Sequence, residues 1–198
     1  MAAADLFRAR FGAEPTHATR APGRINLIGE HTDYQGGYVF PLAIDREVRV
    51  VARVVDGPTR LVSDLLGDGD SFDAATVEPD GTTGWASYVA ATAWALRGDG
   101  KIPNVEAAVV STVPMGSGVS SSAALELAFA VLYRELAGLE LDAKTLALRA
   151  QYAENEYVGN KCGIMDQTAS ARGVEGRAIF LDTKTLEVTP APLPEGTV

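Results

Sequence analysis

Between Val105 and Gly138 the hydrophobic period switches from that of a strand to that of a helix, and the switch runs through glycine and serine. Val105 to Val113 reads as a strand, and Pro114-Met115-Gly116-Ser117-Gly118-Val119-Ser120-Ser121-Ser122 follows it. From Ser121 on, Ala124, Leu127, Ala128, Val131 and Leu132 form one helical stripe that stops near Ala137-Gly138. A strand feeding a helix in this way rules out an all-helical or all-strand architecture. Where such a loop meets a helix N-terminus, backbone N–H groups lie beside the positive end of the helix dipole, an arrangement suited to phosphate oxygens. Serine hydroxyls add donors or a magnesium ligand. The run lacks the lysine of a Walker loop and the third glycine of a dinucleotide fingerprint. A flexible connection with a serine N-cap is the alternative reading.

Around this unit the chain mixes strands and helices without regular alternation. Glu47, Arg49 and Arg53 alternate with Val48, Val50, Ala52 and Val54, which predicts a strand with one buried face. Asp56-Gly57-Pro58 closes it, and Gly67-Asp68-Gly69-Asp70 reads as a turn between short strands around Leu61 and Phe72. A helix is predicted over Trp85 to Leu96, with Trp85, Val89, Ala93 and Leu96 on one face and Gly98 as its stop. Asp142 is the expected N-cap of another, lined by Leu146, Ala150, Ala153 and Tyr157 as far as Gly159. Arg177 to Leu181 and Leu186 to Thr189 suggest a hairpin. With no repeat and no linker, the expectation is one α+β domain over residues 1–198.

Composition removes several function classes. The net charge is -9 and no Lys/Arg cluster occurs, against a nucleic-acid or anionic-membrane footprint. The longest apolar run, Leu127 to Tyr133, falls far short of the roughly 20 residues of a membrane span. Asp5 and two arginines break any signal-peptide core in Met1 to Arg10. A single cysteine, Cys162, excludes an intrachain disulfide and multi-cysteine zinc motifs, so the expected home is the cytoplasm.

Two further segments concentrate polar chemistry. Arg24, Asn26, Glu30, His31 and Asp33 bunch among Gly23, Gly29 and Gly36-Gly37, with Ile25, Leu27 and Ile28 expected to supply packing. Carboxylates accept hydrogen bonds from sugar hydroxyls, and the spacing of Glu30 and Asp33 lets both point at one polyhydroxylated ligand. A surface turn laced with ion pairs would carry the same residues. The other segment joins Glu154-Asn155-Glu156 to Cys162-Gly163-Ile164-Met165-Asp166-Gln167. Asp166 is either the N-cap of a short helix or a general base. Glu154 is placed to reach magnesium, which takes one or two carboxylates or hydroxyls together with phosphate oxygens. Cys162 has no nearby histidine to activate it and reads as a small buried residue, and Lys161 reads as solvated.

Gly23-Arg24-Ile25-Asn26-Leu27-Ile28-Gly29-Glu30-His31-Thr32-Asp33-Tyr34 resembles the galactokinase family signature at every position. Pro114 to Ser122 resembles the phosphate-binding motif of the wider GHMP family of galactokinase, homoserine, mevalonate and phosphomevalonate kinases. Cys162 to Gln167 resembles the galactokinase active-site segment, and order and spacing agree over nearly the whole chain. The resemblance implies a ribosomal-protein-S5-domain-2-like amino-terminal domain of the GHMP kinase fold. It also implies ATP-dependent phosphorylation of α-D-galactose at the anomeric hydroxyl. On that basis Asp166 is the base with Arg24 beside it, and Glu30, His31, Asp33 and Gly163 meet the sugar. Gly116, Ser117, Gly118, Val119, Ser120, Ser121 and Ser122 then surround the phosphates, and Ser122 and Glu154 hold Mg²⁺. The adenine pocket is expected near the early strands and the Trp85 helix.

Galactokinases are longer, with a third glycine-rich motif and a second domain beyond the position of Gly196-Thr197-Val198. The resemblance therefore implies an amino-terminal half whose partner is a missing carboxy-terminal half. A galactose- and ATP-binding sensor without catalysis is the rival. Such sensors can lose activity through a small deletion in the serine-rich loop, whereas Ser120-Ser121-Ser122-Ala123-Ala124 is gap-free. An N-acetylgalactosamine kinase shares the first motif, while Tyr34-Gln35-Gly36-Gly37-Tyr38 is more like the galactose enzymes.

Overall fold

The computed structural model describes residues 2–194, so Gly196, Thr197 and Val198 lie outside it. Its elements are α1 (Ala3–Phe11), β1 (His17–Asn26), β2 (Tyr38–Val39), β3 (Pro41–Val54), β4 (Arg60–Ser63) and β5 (Gly67–Asp68). There follow α2 (Ala86–Leu96), β6 (Val105–Ser111), α3 (Ser121–Ala137), α4 (Ala143–Tyr152), α5 (Met165–Arg172), β7 (Arg177–Asp182) and β8 (Glu187–Pro192). A π-helical turn, Ala153–Val158, prolongs α4. One sheet has the order β1-β3-β6-β4-β5 and the other β2-β7-β8. Among the described residues only the β4–β6 pair is parallel, so the α+β expectation holds.

The core forms where the larger sheet meets the helices. Val48, Val50 and Ala52 of β3 turn one face to α3, whose Phe129, Leu132 and Tyr133 are fully buried. Burying each such side chain contributes about 1.5–3 kcal/mol. On the opposite face Phe7 of α1 packs with Val62 and Ala108, so that face is partly covered too. Helix α2 was expected to bury one face, but Val89, Ala90, Ala91, Ala93 and Leu96 are all buried. Its alanines let both α3 and the π turn pack against it.

Boundaries follow local chemistry. Gly138 closes α3 in the left-handed conformation at φ 62°, and the Asp142 side chain caps α4 by accepting from the Thr145 N–H at 2.8 Å. Gly67-Asp68, read as a turn, pairs with β4 instead, and Phe72 makes only an isolated bridge to Thr59. Val54, expected on the buried face, is exposed at its strand end. Ile25, Leu27 and Ile28 do not supply packing: they are 39%, 50% and 68% exposed. Among the described residues no helix is long and apolar enough to cross a membrane.

Candidate functional site

Three segments distant in sequence meet at the end of β1. The β1–β3 ladder breaks at Gly23, where Pro22 pairs with Glu47 but Arg24 pairs with Ala43. Beside this break the Arg24 N–H donates to the Val119 carbonyl at 3.1 Å and draws the glycine-serine loop onto the strand. The approach is close enough that a Cβ on Gly23 would lie 2.7 Å from the Val119 carbonyl oxygen, which only glycine avoids.

From this edge Arg24 reaches both other segments. Its Nε and Nη2 donate to Asp166 Oδ1 at 2.9 and 2.6 Å, and its Nη1 donates to the Gly118 carbonyl at 2.5 Å. Ser120 Oγ donates to Asp166 Oδ2, also at 2.5 Å. Both carboxylate oxygens are therefore held by charge-assisted or hydroxyl hydrogen bonds. Asp166 lies in the first turn of α5 and is not its N-cap; Ile164 occupies that position without a side-chain cap bond. Likewise the Ser120 side chain does not cap α3: at φ 61° it sits in the left-handed region, and its hydroxyl goes to Asp166. Such backbone strain persists only where surrounding contacts enforce it.

A polar pocket of about 490 Å³ opens in front of this pair. Arg24, Glu30, His31, Asp33, Gly163 and Asp166 line it, as does the loop through Ser117, Gly118 and Val119. Glu30 accepts from Asn26 Nδ2 at 2.9 Å, and His31 Nδ1 shares a hydrogen bond with the Tyr34 hydroxyl at 2.9 Å. Asp33 lies directly against Gly163, where a Cβ would come within 1.9 Å of its Oδ2. Lys161 is solvated as expected, pairing with Glu156 at 2.8 Å on the pocket rim.

Across the loop lies a smaller apolar slot of about 160 Å³, with Leu65, Leu66, Trp85, Tyr88, Met115 and Ser122 in its wall. The buried Trp85 Nε1 in that wall has no hydrogen-bond partner among the described residues. Of this wall the sequence named Ser121 and Ser122, for phosphate and Mg²⁺, but assigned no adenine-pocket residue. The available signal was the exposed apolar run Leu65-Leu66 beside a turn, with Trp85 opening α2.

Ser122 faces the slot, whereas Glu154 is buried and lines neither cavity. Glu154 Oε1 accepts from Asn160 Nδ2 at 2.6 Å and its Oε2 from Gln167 Nε2 at 2.8 Å. Glu126, which the sequence reading missed, is buried close to it. Burial and then the Glu154 charge push the Glu126 carboxyl well above the usual carboxylate range. Burial and Glu154 also raise the Cys162 thiol, so this half-buried cysteine is a poor nucleophile, as expected.

The chain matches two family models: the galactokinase galactose-binding signature over residues 5–54 and the GHMP kinase N-terminal domain over residues 87–174. The galactokinase of Chloroflexus aggregans is 44% identical over 192 residues, which are 96% of this chain and 49% of the relative. That of Streptomyces coelicolor is 45% identical over 191 residues, 95% of this chain and 49% of the relative. The chain thus spans about half the length of the curated relatives it matches. The crystal structure of Lactococcus lactis galactokinase complexed with galactose superposes with a TM-score of 0.86 at 35% identity, covering 96% of this chain and 51% of that one. Methanococcus jannaschii mevalonate kinase shares the fold with a TM-score of 0.73 at 15% identity, over 90% of this chain and 56% of that one. With both family models falling on the elements that carry the pocket, and galactokinases as relatives along nearly all its length, the chain belongs to the galactokinase family of GHMP kinases.

Proposed function

We propose that the chain is a single domain over residues 1–198 forming the sugar- and phosphate-binding part of an enzyme. That enzyme transfers the γ-phosphoryl group of ATP to the anomeric hydroxyl of galactose. The reading is carried by the Arg24–Asp166 pair, which stands where the polar pocket meets the glycine-serine loop. Galactose in the pocket would meet Glu30, His31, Asp33 and the backbone at Gly163, which suit a ring of hydroxyls. Asp166 accepts the anomeric proton as that oxygen attacks the γ-phosphorus, the bond to the bridging oxygen breaks, and ADP leaves. Arg24 fixes Asp166 and sets a positive charge beside the charge that develops on the transferred group.

The loop residues Gly116 to Ser122, at the N-terminus of α3, are assigned to the phosphates. Ser120 contributes through its backbone, since its hydroxyl is engaged by Asp166. The adenine ring is assigned to the slot between Trp85, Tyr88, Leu66 and Met115. Ser122 and Glu154 are the hard oxygen donors that suit Mg²⁺, and the unpartnered Glu126 carboxylate beside Glu154 fits a cation there. Bound Mg²⁺ would neutralise phosphate charge. Because the relatives are about twice as long, a carboxy-terminal domain is assigned to the open side of the cleft. An ATP-consuming reaction of this kind belongs to the cytoplasm.

The test is galactose-dependent ADP formation by the chain, alone and mixed with the carboxy-terminal half of the Streptomyces coelicolor relative, with galactose binding followed by calorimetry. Turnover is expected in the mixture. Absence of both galactose binding and turnover would overturn the reading. Two variants separate the roles. Arg24→Lys keeps one charge but loses the planar fork that spans Asp166 and Gly118, so kcat is expected to fall at least about tenfold with little change in galactose affinity. Asp33→Ala is expected to weaken galactose binding by about 2 kcal/mol or more while leaving nucleotide binding unchanged, as calorimetry with each ligand would report.

A further inference from the structure

Helix α3 carries a charged residue inside its most apolar stretch. Glu126 stands between Leu125 and Leu127, is 0% exposed, and has no hydrogen-bond partner on either carboxylate oxygen among the described residues. Its closest charged neighbour is Glu154, itself 3% exposed. The partners of Glu154 are all uncharged: the amides of Asn160 and Gln167 and the Cys162 thiol. Two carboxylates buried side by side are costly unless a proton or a metal cation neutralises them.

The position of the pair indicates where that charge comes from. Ser122 precedes Glu126 by one helical turn on the same face of α3 and opens onto the apolar slot. Tyr88 lines the same slot and lies in the field of both Glu154 and Glu126. The carboxylate pair is thus set behind the wall formed by Ser122 and Tyr88.

We propose that Glu126 is a second carboxylate ligand of the divalent cation assigned above to Ser122 and Glu154. The proposal rests on that assignment. A hydroxyl and two carboxylates form a hard oxygen set of the kind Mg²⁺ and Mn²⁺ take, and one divalent charge neutralises both acids. Since the protein itself completes this charge balance, the cation binds the nucleotide-free chain.

Mn²⁺ titrated into the nucleotide-free chain, with the free ion followed by electron paramagnetic resonance, is the direct test. A saturable site is expected, and isosteric Glu126→Gln is expected to weaken it at least about tenfold. Glu126→Asp, which keeps the charge on a shorter arm, should weaken it less and serves as the second variant should the glutamine chain fail to fold. No Mn²⁺ site in the unaltered chain overturns the proposal. If Glu154→Gln weakens Mn²⁺ binding while Glu126→Gln does not, Glu126 is no ligand and the Ser122–Glu154 assignment stands. If Ser122→Ala, Glu154→Gln and Glu126→Gln all bind Mn²⁺ as the unaltered chain does, the assignment falls and the proposal with it.

Discussion

With Asp166→Asn, galactose phosphorylation is expected to drop by about 10²- to 10⁴-fold while galactose still binds. Asparagine matches the carboxylate in shape, and its Oδ1 can still accept from Arg24 Nε and Nη2. The Ser120 hydroxyl, now a donor to Oδ2, can rotate to accept from the new amide. What disappears is the group able to take a proton. Steady-state turnover in the assembled enzyme and galactose calorimetry on the same variant make the check. Activity within about tenfold of the unaltered enzyme would remove Asp166 from the role of base.

Gly163→Ala should abolish measurable galactose binding, a loss of at least about 100-fold or 2.7 kcal/mol. Its Cβ would stand 1.9 Å from Asp33 Oδ2 and 2.1 Å from Cγ, so the carboxylate cannot remain where it is. Moving it also breaks the contact in which the Met165 N–H donates to Asp33 Oδ2 at 3.4 Å, at the start of the helix bearing Asp166. A double variant tests this cause: once Asp33→Ala has removed the clash, Gly163→Ala should cost little more, so the two effects will not add. Normal galactose affinity in Gly163→Ala would show that Asp33 need not hold its position.

Where hydrophobic period and covering layer agree, the fold was legible. Helix α3 has the Ala124-Leu127-Ala128-Val131 stripe and a glycine stop, and both ends match the reading. The same logic failed along Arg24 to Ile28, because alternation reveals two faces without telling which is covered. Here Arg24 and Asn26 turn to the polar pocket, and Leu27 and Ile28 are left largely exposed. Helix α5 was only half seen, as the option of a short helix after Asp166. Its buried positions include Gln167, Thr168 and Ser170, so packing against β1, α3 and α4 defines a helix that hydropathy does not mark. Within the candidate site, the grouping of Arg24, Glu30, His31, Asp33 and Asp166 was readable from motifs. The fit of Asp33 against Gly163 and the bond from Ser120 to Asp166 were not. Each joins residues far apart in the chain, and the second depends on a left-handed serine. Glu126 did leave a trace, a lone acid in an apolar stripe, but its meaning emerges only when Glu154 is brought beside it.

The π turn after α4 holds one more residue than an α turn, with both Gly159 and Asn160 donating to the Glu154 carbonyl. Everything after it is set back around the helix axis by about one residue's rotation, roughly 100°. Removing a single residue from Ala153–Val158 would therefore not shorten a tolerant loop; it would turn the segment as a screw turns in its thread. Residues beyond the deletion would turn away from their present partners, as Tyr157, inward now, would from the Thr82 hydroxyl. Length in this stretch acts as an angular setting, and two chains aligned from the start of α4 stay in phase only as far as Tyr152 unless both carry the wide turn.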